Sequence, residues 1–329
     1  RRQRQMCIRD SSMGGLTTTV IPNVVGNNAT DVYAVENVSI TEANGYNEGA
    51  YVEWTGDVNC QYNVYYKADG GEYTQIDSML IRQYADHFRA DAVGLKAGTY
   101  TMKVVPVVDG KEGSAVETST LTVSTYDRSG FAFSKNSPNE GEGVGAYNTD
   151  GTLKSGAIVV YVTEDTKNTV TAEINGTTLT GVANITQQAK KCSVPLCFRI
   201  IGTVTLDGLA SGDMKSAYAV GVKDAKNITF EGIGEDATLY GAGVAAFKCN
   251  SIEVRNLGLM RWGGGKDGDG ISLKESINVW IHDNDIYYGN SGSDSDQAKG
   301  DGSMDLKDNS QYVTISYNHF WDSGKMSLC

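Results

Sequence analysis

Apolar and polar positions alternate in short runs over most of this chain. Between Val32 and Val123 the runs are Glu36–Thr41, Ala50–Thr55, Gln61–Lys67, Tyr73–Ile76, Thr99–Val108 and Glu117–Val123. A period of two with β-branched and aromatic residues predicts strands with one buried face. Asp69-Gly70-Gly71 and Asp109-Gly110 are hairpin turns. No helical run separates these strands, so the region predicts a β-sandwich of about 90 residues with Trp54 in its core. Further strands are expected at Ala157–Thr163, Thr169–Ile174 and Phe198–Leu206.

From Asn227 the pattern repeats. NITFEGIG begins at Asn227, SIEVRNLGL at Ser251, INVWIHDND at Ile277 and YVTISYNHF at Tyr312. The first two intervals are about 25 residues, the length of one β-helix coil with three short strands. The last is about 10 longer, and the excess is the polar stretch Gly289–Gly300, an insertion expected on one face of a solenoid. Asn284 lies five residues after Val279, and Asn318 five after Val313; with Asn256 they end what read as equivalent segments. Stacked Asn side chains at such turns predict a hydrogen-bonded ladder. Because each coil buries its core only against its neighbours, the repeat implies a stacked parallel solenoid.

The chain therefore divides into a lead at 1–30, expected to be disordered or processed, a sandwich at 31–125, a Ser/Gly/Glu-rich linker at 126–148, and a β-helix at 149–329. The fold class expected is all-β. Composition is ordinary for a globular protein, with 40% hydrophobic and 21% charged residues; 39 Gly against 4 Pro suits many tight turns. The net charge of -12 and the lack of a basic stripe disfavour nucleic acid as a partner. Six Cys are spread without a CxxC pair, which speaks against zinc; Cys192 and Cys197 are left open as bridged or reduced. The basic start RRQRQMCIRDSSMGG has no apolar core of a signal peptide, and no stretch is long enough to span a membrane. The abrupt end inside the patterned region reads as a fragment.

Four carboxylates sit where two neighbouring coils begin. Asp267 and Asp269 are two apart, Asp301 and Asp305 four apart, so each pair shares a strand face. Stacked strands lie about 4.8 Å apart, which would gather these groups. Like charges at that range repel and raise each other's pKa unless a cation is present. Oxygen donors without Cys or a His set favour a hard ion, calcium before zinc. Spacing alone also allows acidic Asp-Gly turns facing water.

Two resemblances sharpen these expectations. The front region, with GTYTMKVVPVVDG and the Leu95…Gly98-Thr99-Tyr100 corner, resembles a fibronectin type III module, a spacer in most settings. Residues from about Ala157 to Leu328 resemble a pectate lyase of polysaccharide lyase family one. The matching blocks are NITFEGIGEDATLYGAG, FKCNSIEVRNLGL, KDGDGISLKESINVWIHDND, GDGSMDLKDNSQYVTISYNHF and GKMSL. The resemblance implies a right-handed parallel β-helix and a Ca2+-dependent enzyme, secreted and expected to be monomeric. It implies polygalacturonate (pectin) as substrate, cleaved by β-elimination after the uronate carboxylate is neutralised and the C5 proton acidified. Asp269, Asp301 and Asp305 match the family's central calcium ligands, Asp267 matches a ligand of some members, and Lys325 matches a lysine that grips substrate carboxylate.

Two departures stand out. After Ile281 this chain reads His282-Asp283, where the family has Asp then His, so neither is assigned to catalysis. The family's proton-abstracting Arg is expected beyond Cys329, and no Arg of this chain is matched to it; the catalytic residue is therefore unknown and the polypeptide is expected to be catalytically incomplete. The alternatives are a non-catalytic β-helix holding acidic glycan through calcium, a pectin lyase for methylated substrate, whose relatives lack these carboxylates, and a β-helix adhesin without a site.

Overall fold

The computed structural model describes residues 37–205, 219–263, 268–291, 295 and 297–328. The expected lead at 1–30 and the site residue Asp267 lie outside the described residues. The chain divides into two compact units, one formed by residues up to 93 with 98–124, the other by 94–97 with 125–329.

The first unit is built of two antiparallel sheets. One has the order Ser39–Tyr46, Gly49–Thr55, Phe88–Val93, Ile81–Gln83. The other runs Leu121–Val123, Gly98–Val108, Gln61–Ala68, Thr74–Gln75, with two short strands pairing on Gly98–Val108. Trp54 is fully buried and bridges them, edge-on to Tyr62 with ring centroids 5.4 Å apart and stacked on Phe88 at 5.5 Å. The strands at 81–83 and 88–93 have no counterpart in the alternation pattern for a physical reason. Arg82, Arg89 and Asp91 are buried within them as an ion cluster, with Asp91 accepting from Arg82 at 2.5 Å and from Arg89 at 3.0 Å. Charges paired this way can be buried, and they erase the polar half of the alternation.

The second unit is a parallel β-helix with three sheet faces. Strand partners on these faces come from successive coils and run parallel; the hairpin of Thr171–Ile174 with Thr177–Thr180 is antiparallel. The first face stacks Ala219–Lys223, Gly243–Phe247, Ile271–Lys274, Gly302–Lys307 and Lys325–Leu328 in that order. The second stacks Ile158–Val162, Leu196–Thr205, the start of Lys226–Tyr240, Asn250–Arg255, Ile277–His282 and Gln311–Ser316. The third continues from the far end of Lys226–Tyr240 through Gly258–Met260, Asp285–Tyr287 and His319–Trp321. Inward-facing Val222, Phe230, Val244, Ile252, Val254, Ile271, Leu273, Val279, Ile281, Ile286 and Met304 form one core through the coils.

Two details differ from the sequence reading. A short helix, Val182–Gln188, inserts Val182 and Ile185 into the core cluster of the solenoid. Seven residues containing Val, Ile and Thr carry too little helical period to be recognised. The Asn ladder holds between Asn284 and Asn318, where the Asn284 amide donates to Asn318 Oδ1 at 2.9 Å. Asn256 is offset by one residue. It aligns with Asp283 rather than Asn284, since Arg255 pairs with His282, and it donates instead to the Gly232 and Gly234 carbonyls at 2.7 and 3.0 Å.

The stretch read as a linker is packed along the outer side of the second face. Ala132 N–H donates to Thr314 Oγ1 at 3.0 Å, Gly145 N–H to Ser251 Oγ at 3.0 Å, and Ala146 N–H to Thr229 Oγ1 at 2.8 Å. Phe133 stands edge-on to Trp280 at 4.9 Å.

Candidate functional site

The first face presents alternate residues outward, because Ile271, Leu273, Met304 and Leu306 point into or pack on the core. That leaves Ser272, Lys274, Asp305 and Lys307 on the open side. Ser272 pairs in register with Asp305, and Lys274 with Lys307. Asp269 lies just before the Ile271–Lys274 strand and reaches across to the next coil, where its Oδ1 accepts from Gly302 N–H at 3.2 Å. The two coils are direct neighbours.

One ammonium joins them. Lys307 Nζ lies 3.1 Å from Asp269 Oδ2 and 2.9 Å from Asp305 Oδ2. Both carboxylates are about 3% exposed, yet the lysine is part-exposed. Burial, followed by the adjacent Asp305 charge, pushes the Asp269 carboxyl up, and Lys307 opposes the shift. Burial alone would lower the Lys307 ammonium, but its hydrogen bond to Asp305 and the two negative charges raise it. A second pair flanks this group: Lys325 Nζ binds Asp301 Oδ1 at 2.7 Å, and Lys325 is in register with Gly302 on the neighbouring strand.

The expected carboxylates are therefore arranged as a lysine-bridged pair, Asp269 and Asp305, beside a separate Asp301–Lys325 pair. Among the described residues no three His, Cys, Asp or Glu side chains converge closely enough to hold a metal ion. The donor chemistry nonetheless fits a hard divalent cation: all donors are oxygens, two are buried and mutually repelling, and a positive charge already sits between them. Lys307 was not singled out from the sequence. Its signal was available, since it follows Asp305 by two residues and so shares its strand face.

Gly302 makes room for this geometry. The Asp305 carboxylate folds back over it, with Oδ1 1.9 Å from where a Cβ would stand. No side chain larger than hydrogen fits there without moving the carboxylate.

A second charged cluster lies on the outer side of the second face and is closed to solvent. Glu231 accepts from Arg199 Nε at 2.7 Å, from Arg255 at 2.7 Å and from the Tyr147 hydroxyl at 2.6 Å. Glu253 bonds Arg255 at 3.4 Å and His282 Nε2 at 3.2 Å. His282 is fully buried, stacks on Trp280 at 3.5 Å and meets Asp283 at 2.8 Å through Nδ1. The reversed His282-Asp283 order thus places His282 in a structural ion network and Asp283 at the half-exposed turn. His319 is mostly exposed and pairs with Asp285 at 3.2 Å. The arginines of this unit are engaged away from the Asp269–Asp305 pair: Arg199 and Arg255 with Glu231, Arg128 over the Trp280 ring, Arg261 with Asn290 Oδ1 at 3.1 Å.

The sequence profile of the pectate lyase family matches residues 134–329. A pectate trisaccharide-lyase of Bacillus licheniformis is 31% identical over 140 residues, 42% of this chain and 38% of the relative. Pectate lyase 2 of Pectobacterium carotovorum is 32% identical over 120 residues, 35% of this chain and 31% of the relative. This chain thus spans well under half the length of the curated relatives it matches. Among solved structures, a pectate lyase from a Bacillus species in complex with trigalacturonate superimposes with a TM-score of 0.43 and 22% identity, covering 61% of this chain and 54% of that one. By the profile match over residues 134–329, which include the solenoid and its lysine-bridged carboxylates, this chain belongs to the pectate lyase family.

Proposed function

We propose that this chain carries the cation- and uronate-binding part of a secreted, calcium-dependent pectate lyase acting on polygalacturonate by β-elimination. The observation that carries the reading is the pair of buried carboxylates from adjacent coils held by one part-exposed ammonium on an open strand face. Asp269 and Asp305 would hold the ion, with Asp301 beside them once Lys325 turns to substrate; Asp267, which the resemblance adds, lies outside the described residues. When bound, calcium would neutralise the uronate carboxylate and acidify the proton on C5. Lys307 and Lys325 are compact cations that suit a uronate carboxylate, and each would exchange an aspartate for the sugar acid. The base that takes the C5 proton is not assigned to a residue of this chain, whose described arginines in this unit are engaged elsewhere. The front unit, with its two antiparallel sheets, is read as a fibronectin type III-like spacer.

Affinity electrophoresis tests the substrate class. In calcium, the chain is expected to be retarded by polygalacturonate and not by fully methyl-esterified pectin. Equal retardation by both would favour a pectin lyase and remove the role given to the lysines. A second outcome follows from Gly302. Gly302→Ala should leave the thermal midpoint nearly unchanged, since the displaced group is the end of a flexible side chain, at a cost of about 1 kcal/mol or less. Calcium affinity should fall by about tenfold, as expected for a misplaced ligand of about 1.4 kcal/mol. Unchanged affinity would show that Asp305 is not a ligand.

A further inference from the structure

The two segments that bring carboxylates to the open face meet over one side chain. Trp262 follows the Gly258–Met260 strand, is fully buried and belongs to the solenoid core. Its backbone is tied to the next coil: Asn290 N–H donates to the Trp262 carbonyl at 2.8 Å, and Asn290 Nδ2 donates to the Arg261 carbonyl at 2.9 Å. Its ring lies against two glycines. A Cβ on Gly270 would stand 3.2 Å from Trp262 Cε2, and one on Gly300 would stand 2.2 Å from Cζ3 and 2.5 Å from Cη2. Gly270 directly follows Asp269, and Gly300 directly precedes Asp301. These two segments are on neighbouring coils, joined where Gly270 N–H donates to the Gly302 carbonyl at 2.9 Å. One rigid ring therefore touches both acidic segments.

Size explains a tryptophan here better than polarity does. Its Nε1 is buried and has no hydrogen-bond partner among the described residues. An indole N–H taken out of water without an acceptor is a cost that phenylalanine or leucine would avoid in a core. What they lack is reach. Cε2, Cζ3 and Cη2, the atoms set against the two glycines, all belong to the outer, six-membered ring of the indole. Gly300 also sits at φ +88, in the left-handed region that favours glycine.

We infer that Trp262 is a positioning residue for the cation site: its ring is the spacer that fixes the separation of the Asp269 and Asp301 segments, and with it the size of ion they admit. The inference rests on the cation reading of Asp269, Asp301 and Asp305 and adds a size gauge to it. Calcium takes oxygen ligands at about 2.3–2.6 Å and magnesium at about 2.0–2.1 Å. A gap held at calcium width discriminates between the two ions, and a gap free to change does not.

The test titrates the full chain with Ca2+ and, separately, with Mg2+ by calorimetry in the presence of trigalacturonate, and repeats this for three variants. Trp262→Phe should bind Ca2+ about tenfold more weakly, and its preference for Ca2+ over Mg2+ should fall by about threefold or more. Gly300→Ala pushes the Asp301 segment off the same ring while keeping the tryptophan. It should lower the preference too, and it decides the matter if circular dichroism shows that Trp262→Phe does not fold. Phe198→Leu changes the core two coils away; it should lower the thermal midpoint and leave the ion preference as it is. An unchanged preference in folded Trp262→Phe or Gly300→Ala chains, or an equal fall in Phe198→Leu, overturns the spacer and leaves the cation site standing. A full chain that binds neither ion overturns the cation reading and the spacer with it.

Discussion

Glu231→Gln is expected to destabilise the β-helix unit by about 3–5 kcal/mol, the range for removing one partner of a buried ion cluster. Glu231 is fully shielded and lies between two guanidiniums that are themselves buried. Burial alone would raise its carboxyl, but Arg255 and Arg199 outweigh burial and, with the Tyr147 hydroxyl, hold it down at about 2. Glutamine would leave Arg199 and Arg255 facing each other across a neutral amide. Urea unfolding followed by tryptophan fluorescence measures the loss, since Trp280 lies two coils on from Glu231, beside Glu253 and stacked on His282. The paired replacement Arg199→Met/Glu231→Leu, which leaves Arg255 with Glu253, separates charge loss from packing and should cost much less than the single change. An equal or larger loss in the double variant would mean that the cluster stabilises by shape and not by charge balance.

The same group sets a pH dependence. A carboxyl held below its unfolded value contributes stability that is complete above that value and is lost as pH falls through the folded one. For Glu231 the window runs from its ordinary value of 4.5 down to about 2. Acid unfolding of this unit should therefore steepen between those limits, and Glu231→Gln should flatten the curve there.

Much of this architecture was legible because solenoid physics writes itself into sequence. Each coil needs an inward Val, Ile or Leu at every second position, so Val279-Ile281 and Val313-Ile315 repeat in register at coil spacing, with Val279, Ile281 and Val313 on the core and Ile315 exposed. Asn284 and Asn318 announced a ladder because their amides can bond both along the stack and back to the chain. Asn256 misled, as residue type alone does not report a one-residue offset in register. The packed strap at 126–148 was invisible for a related reason. It is held by backbone N–H groups on Thr229, Ser251 and Thr314 and by scattered aromatics, none of which is periodic. The buried charges of both units were unreadable in sequence, because Arg, Glu and Asp look alike on a solvated face and in a neutralised cluster.

At the candidate site, parity placed Asp305 on the open face and adjacency of coils brought Asp269 to it. The positive charge between them was missed in sequence, although Lys307 shares the strand face of Asp305. A cation expected from like-charge repulsion is met in this structure by Lys307.

Asp269→Asn and Asp305→Asn should each weaken calcium-linked trigalacturonate binding by about 30- to 150-fold, from a loss of about 2–3 kcal/mol for a charged ligand removed from a buried site. Their pH behaviour should differ from that of Glu231. Asp269 is raised by burial and by Asp305, so protons compete with the ion at it from a higher pH than at an ordinary carboxylate, and affinity should already decline there as pH falls. Replacing Asp301 should cost less, since Asp301 competes with the sugar acid for Lys325.

The most direct measurement is calorimetric titration of the chain with trigalacturonate, first in calcium and then after EGTA. Adjacent coils that bring Asp269 and Asp305 together to hold a divalent ion predict heat of binding in calcium that EGTA abolishes and that Asp305→Asn strongly weakens. Binding of equal strength in EGTA, or unaltered binding by Asp305→Asn, would contradict the role of that carboxylate pair.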